Sequence, residues 1–150
     1  MRWAALVTLA VLGCGGADTR DPLDGTKWAL ESSAYCATGL RFADGAYDDL
    51  FLCTLNDGSV GLQVASGNYD VVRDEIRLNL TRGSCGWAPQ SSVFSWQINS
   101  GGGLVIQDAA GVSVYQPAPS SGSTFIGTYG CFSRDANQDL IFSAQPVHAL

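Results

Sequence analysis

The sequence predicts an all-β fold, a small antiparallel up-and-down barrel of about eight strands. Three observations carry that expectation. Apolar residues alternate with a period of two from residue 27 to residue 116, with almost no 3.6-residue periodicity. Turn signals such as Asp44-Gly45 and Asn56-Asp57-Gly58 punctuate the alternation. Charged residues are only 15% of the chain and glycines number 18, a composition suited to short strands and tight turns rather than solvated helices.

The elements follow in order. Residues 27–35 read as a first strand, with Trp28 and Leu30 on one face, and Leu40 and Phe42 share a face of the second. Asp44-Gly45 then turns the chain, because this dipeptide accepts the positive φ angles of a type I′ hairpin. A third strand over 47–55 puts Phe51, Cys53 and Leu55 on one face. After Asn56-Asp57-Gly58, Val60, Leu62 and Val64 alternate with Gly61 and Gln63, and Gly67-Asn68 marks a bulge or bend before Tyr69 and Val71. Ile76, Leu78 and Leu80 alternate with Arg77, Asn79 and Thr81, giving one buried and one wet face. A loop through Cys85, Trp87 and Pro89 leads to the alternation Phe94, Trp96, Ile98. Residues 104–107 and 112–116, joined by a turn, complete eight consecutive strands.

Eight antiparallel strands in sequence order leave two exposed edges, and closing the sheet into a barrel removes both. A split sandwich is the alternative; the barrel is favoured because the connections are hairpins with no long crossover. Beyond residue 116 a Pro/Ser/Gly-rich stretch leads to a ninth strand over 125–132 and a weak apolar run at 140–142. The implied division is 1–13 leader, 14–22 tether, 23–116 barrel and 117–150 linker with C-terminal extension.

The first thirteen residues carry one charge, Arg2, and then ten residues that are apolar except for Thr8. This run is too short to cross a bilayer but suits an export signal. Val11-Leu12-Gly13-Cys14 resembles the lipobox of bacterial lipoproteins. The resemblance implies cleavage before Cys14 and lipidation of its thiol. Acyl chains at Cys14 would anchor the protein to a lipid bilayer, each buried methylene contributing about 0.8 kcal/mol. Gly15 in place of Asp points, by the same resemblance, to the outer membrane of a bacterial envelope.

Cleavage would take the net charge from −6 to −7. Lys27 is the lone lysine and the arginines are scattered, so nucleic-acid binding is not expected. Without Cys14 four cysteines remain, Cys36, Cys53, Cys85 and Cys131, with no Cys-x-x-Cys pair, which disfavours zinc and favours two disulfides in an exported protein. Three connectivities are open.

Leu23-Asp24-Gly25-Thr26-Lys27-Trp28-Ala29-Leu30 resembles the opening of lipocalin-like lipoprotein domains, whose first strand starts with Gly-x-Trp. It is also similar to the META/HslJ-like opening Gly-Thr-x-Trp-x-Leu. The hairpin segments Leu55-Asn56-Asp57-Gly58-Ser59-Val60-Gly61, Gly67-Asn68-Tyr69-Asp70-Val71 and Glu75-Ile76-Arg77-Leu78 resemble the former family. Together these imply a lipocalin-like barrel over about residues 23–116. With the strand directions above, Cys36, Cys53 and Cys85 share one end of the barrel. A ninth strand beside the first would bring Cys131 there, giving the expected pairs Cys36–Cys131 and Cys53–Cys85.

Residues that could carry chemistry are few. His148, the one histidine, stands two residues from the chain end and is a poor triad member. Asp48-Asp49 opens a strand beside a turn, where acids normally solvate an edge. Asp135, Asn137 and Asp139 match the first oxygen ligands of a calcium loop, but Leu140 and Pro146 stand where its Gly and Glu belong, so the segment reads as a polar turn. Neither a cofactor nor a metal site is expected. Trp28, Phe42, Phe51, Phe94 and Trp96 share the inward phase with Leu62, Ile76 and Leu78. They fill the barrel or line a small apolar ligand site. Trp87, in its Gly/Pro-flanked loop, is a candidate partner contact. The expectation is a non-catalytic envelope lipoprotein with a mostly filled barrel that interacts with another envelope protein. A binding module for a small apolar ligand is the alternative, and an enzyme ranks last.

Overall fold

The computed structural model describes residues 21–31, 33–83, 85–86, 88–118 and 126–145; Cys14, Trp87 and His148 lie outside them. Ten strands form: β1 (Lys27–Glu31), β2 (Cys36–Ala43), β3 (Ala46–Thr54), β4 (Val60–Val72), β5 (Glu75–Gly83), β6 (Gln90–Ile98), β7 (Leu104–Asp108), β8 (Gly111–Pro117), β9 (Thr128–Arg134) and β10 (Leu140–Ala144). β1 to β8 pair antiparallel in sequence order, and β1 pairs with β8 through Trp28↔Pro117 and Ala29↔Gln116. The sheet is therefore the closed up-and-down barrel that the hairpin spacing predicts.

The turns form for the expected reason. Asp44 and Gly45 both take positive φ, 52° and 76°, as a type I′ hairpin requires. The first strand is shorter than the alternation suggested. Ser33 Oγ accepts hydrogen bonds from the amides of Tyr35 and Cys36 at 3.3 and 3.0 Å, so the chain bends instead of continuing to residue 35. The irregularity expected at Gly67 falls on the partner strand: the β4–β5 register shifts between Ser66 and Gly67, leaving Thr81 of β5 without an opposite residue.

One end of the barrel is shut by the segment before β1. Leu23 is fully buried among Trp28, Phe42, Tyr69 and Leu104. The Tyr69 hydroxyl donates to Asp21, and Asp24 Oδ1 accepts from the Asp44 amide at 2.7 Å, which fastens this segment across the end. Trp28 Nε1 donates to Thr26 Oγ1 at 2.7 Å, so the indole is buried with its polar atom satisfied.

The C-terminal strands go elsewhere than expected. β9 runs parallel to β4 through Gly61↔Thr128 and Leu62↔Tyr129, not beside β1. Closure is the reason: both edges of β1 are taken by β2 and β8, whereas β5 pairs with β4 only from Ala65 onward and leaves residues 60–64 an open edge. β10 pairs antiparallel with β9, and Asp135–Asp139 forms the turn between them. Asp135 Oδ1 there accepts from the amides of Asn137 and Asp139 at 2.8 and 2.9 Å.

The disulfides consequently differ from the expected pairs. Cys36 bonds to Cys53, its direct neighbour across the β2–β3 hairpin, with Cα atoms 4.1 Å apart. Cys85 bonds to Cys131 and ties the β5–β6 loop to β9. Because β9 lies beside β4, Cys131 never approaches Cys36.

Leu62 also corrects the expected inward phase. On β3 and β4 the inward residues are Tyr47, Asp49, Ala65 and Tyr69, so the strict alternation of strand faces turns Leu62 outward. It is buried there with Leu50 and Val64, against Leu52 and Tyr129, in a second cluster outside the barrel.

Candidate functional site

The aromatic residues predicted to line a site divide among three places. Trp28 and Phe42 pack into the shut end, 6% and 0% exposed. Trp96 packs against the same core and donates Nε1 to the Arg73 carbonyl at 3.1 Å. Phe51 lies past the core, edge-to-face with Phe132 at a centroid distance of 5.1 Å, and Phe132 in turn meets Phe142 at 4.8 Å. Those phenyls leave no room for a side chain at position 61, where a Cβ would come within 2.8 Å of the Phe142 ring. Phe94 lines a cavity inside the barrel.

That cavity is a cup of about 370 Å³ beside the β7–β8 turn. Its wall includes Leu40, Asp49, Leu78, Phe94, Ile106 and Tyr115, and Asp108 and Ser113 flank the turn above it. The barrel is therefore filled at the end that Leu23 closes and hollow at this one.

Asp49 was not expected inside. The period of two explains it: extending the Phe51–Cys53 face backward along β3 places Asp49 inward and Asp48 outward. The two carboxylates have opposite environments. Asp48 accepts from Arg41 Nε at 2.7 Å, forms an ion pair with the same guanidinium, and accepts from Ser66 Oγ at 2.6 Å. Asp49 forms no ion pair among the described residues. Burial pushes its carboxyl up to about 6, although a hydrogen bond from the Leu50 amide opposes the shift. Tyr47, on the same strand, is pushed up to about 12 by burial and by the Asp49 charge. The same two causes, in the same order, raise Tyr115. Asp108, at the rim, holds the turn by accepting from the Ala110 and Gly111 amides at 2.8 and 3.0 Å.

The raised carboxyl gives stability a pH dependence whose sign is fixed. Asp49 titrates near 3.8 when unfolded and near 6 when folded, so its neutral form stabilises the fold below pH 3.8. That contribution is lost as pH rises through about 6. Asp49→Asn should therefore remove the loss, raising stability at pH 7.5 by about 2 kcal/mol, a figure already reduced for solvent reaching the cup, with little change at pH 3.5. Chemical denaturation at the two pH values measures it, and an equal effect at both would exclude a raised Asp49.

No family model matches the chain, and no curated protein matches it. Among solved structures the chain is similar to a lipocalin-like protein from Bacteroides uniformis, with 19% identity and a TM-score of 0.44 over 63% of this chain and 96% of the other. The barrel described above has eight consecutive antiparallel strands closed on one another, with one end open to a cup.

Proposed function

We propose that this chain is a non-catalytic binding module of the bacterial cell envelope, holding a small molecule in the barrel cup and anchored to the outer membrane through acylated Cys14. The observation that carries the binding reading is a cup of about 370 Å³ inside the barrel wall, a size suited to a small ligand. It favours the ligand-binding alternative over a barrel filled throughout. The anchoring rests on the lipobox resemblance at Val11–Cys14. A tether of several polar residues after Cys14 would let the mouth of the barrel stand clear of the lipid surface.

Fluorescence of a neutral apolar probe, N-phenyl-1-naphthylamine, tests the binding reading. Saturable enhancement with one site per chain is expected, weakened at least tenfold by Ser113→Trp, whose indole would occupy the cup. Absence of saturable binding, or binding indifferent to Ser113→Trp, would refute it. Anchoring is tested separately: metabolic labelling with palmitate should mark the wild-type chain and fail to mark Cys14→Ser.

A further inference from the structure

We infer that the cup selects ligands that join an apolar body to a cationic nitrogen, with the Asp49 carboxylate as the group that receives the charge. The inference rests on the binding reading above and specifies the chemistry of the same cup.

The charged side chains that face the cavity among the described residues are of one sign. Asp49 projects from β3 and Asp108 from the end of β7, while no Lys, Arg or His lines the cup among the described residues. From the other strands around Asp49 come Leu40 on β2, Ala65 on β4, Leu78 on β5, Phe94 on β6 and the phenol of Tyr115 on β8. Tyr47 is the titratable neighbour on the same strand, and neither tyrosine is charged near neutral pH. An anionic ligand would meet two carboxylates and no counter-charge. A neutral ligand would leave the Asp49 charge buried and unpaired, the costly condition.

A protonated amine resolves both problems. It supplies N–H donors to carboxylate oxygens that no described side chain occupies, forming charge-assisted hydrogen bonds of the stronger kind. Its apolar body covers Leu40, Leu78 and Ile106, with the aromatic rings of Phe94 and Tyr115 in the same wall. Asp48 shows what satisfaction looks like in this protein, with Arg41 and Ser66 on its two oxygens. Asp49 is the adjacent residue, and its place is inside the cavity. Burial holds its proton to about pH 6, so a bound cation would displace that proton and amine binding should strengthen as pH rises.

Displacement of N-phenyl-1-naphthylamine from the oxidised full chain by three ligands of one shape tests this: 2-phenylethylammonium, 2-phenylethanol and 3-phenylpropanoate. At pH 7.5 the ammonium should bind at least tenfold more tightly than the alcohol, and the carboxylate at least tenfold more weakly than the alcohol. At pH 4.5 the preference for the ammonium should fall at least threefold, in the wild-type chain, so that the arm holds even if a variant folds poorly. Asp49→Asn should bring the ammonium-to-alcohol ratio to within twofold of one. Equal binding of ammonium and alcohol, or a preference that survives Asp49→Asn, overturns the inference while leaving the cup a binding site. Failure of the probe and all three ligands to bind overturns the binding reading itself.

Discussion

Gly67→Ala should lower the unfolding free energy by about 3–4 kcal/mol, among the larger losses a single substitution produces. A Cβ at this position would stand 1.9 Å from the Asn79 carbonyl oxygen, 2.8 Å from its carbon and 3.0 Å from Leu80 Cα. These are backbone atoms of the adjoining strand, so no side-chain rotation relieves the clash. The register shift between Ser66 and Gly67 is what brings β5 so close, and separating the strands would break pairings that close the barrel. Urea denaturation measures the effect. Gly101→Ala is the internal control: its Cβ would meet only Asn99 Oδ1, at 3.4 Å, and the change should stay within about 0.5 kcal/mol. A Gly67→Ala midpoint equal to the wild type would mean that β4 and β5 do not approach in this way.

Removing the Cys85–Cys131 bridge by the double alanine substitution should cost about 4 kcal/mol on the chain-entropy account of a cross-link 46 residues apart in sequence. The loss should be uneven across the molecule. β9 meets β4 at only two paired positions, Gly61 and Leu62, while the barrel strands hold one another around a closed ring. Hydrogen exchange should therefore accelerate first in β9 and β10, with β1 to β8 retaining more protection. Removing Cys36–Cys53 should cost less, about 3 kcal/mol, because it closes a shorter loop of 17 residues. Unchanged exchange in β9 and β10 after loss of the Cys85–Cys131 bridge would show that the Phe51, Phe132 and Phe142 contacts suffice to dock the hairpin.

Much of the barrel was legible because hairpin connections make sequence neighbours spatial neighbours. Asp44-Gly45 and the alternation Ile76, Leu78, Leu80 each declare a local geometry that the tertiary structure leaves in place. The same alternation misled at Leu62. An apolar residue on a strand signals burial but not which face is buried, and the face of Leu62 is covered outside the barrel with Tyr129 from β9. Phe51 keeps the inward register and lies past the core, where phenyls from β9 and β10 receive it. Asp49 could have been found by carrying the period of two from Cys53 and Phe51 back two residues. Its acidic neighbour Asp48 made the pair resemble a solvated strand edge instead.

By itself the sequence determined the class of fold, the number and order of the eight barrel strands, the turns between them and the shortage of basic groups. Each of these follows from residues close together in the chain, through backbone preference or strand periodicity. Tertiary structure alone decided the partner of β9, the pairing of the cysteines and the position of a carboxylate inside a hollow end. Those depend on which strand edge remains open after closure, and on how far the core fills the space enclosed. Both are properties of the assembled sheet, set by segments far apart in sequence, so no local pattern encodes them.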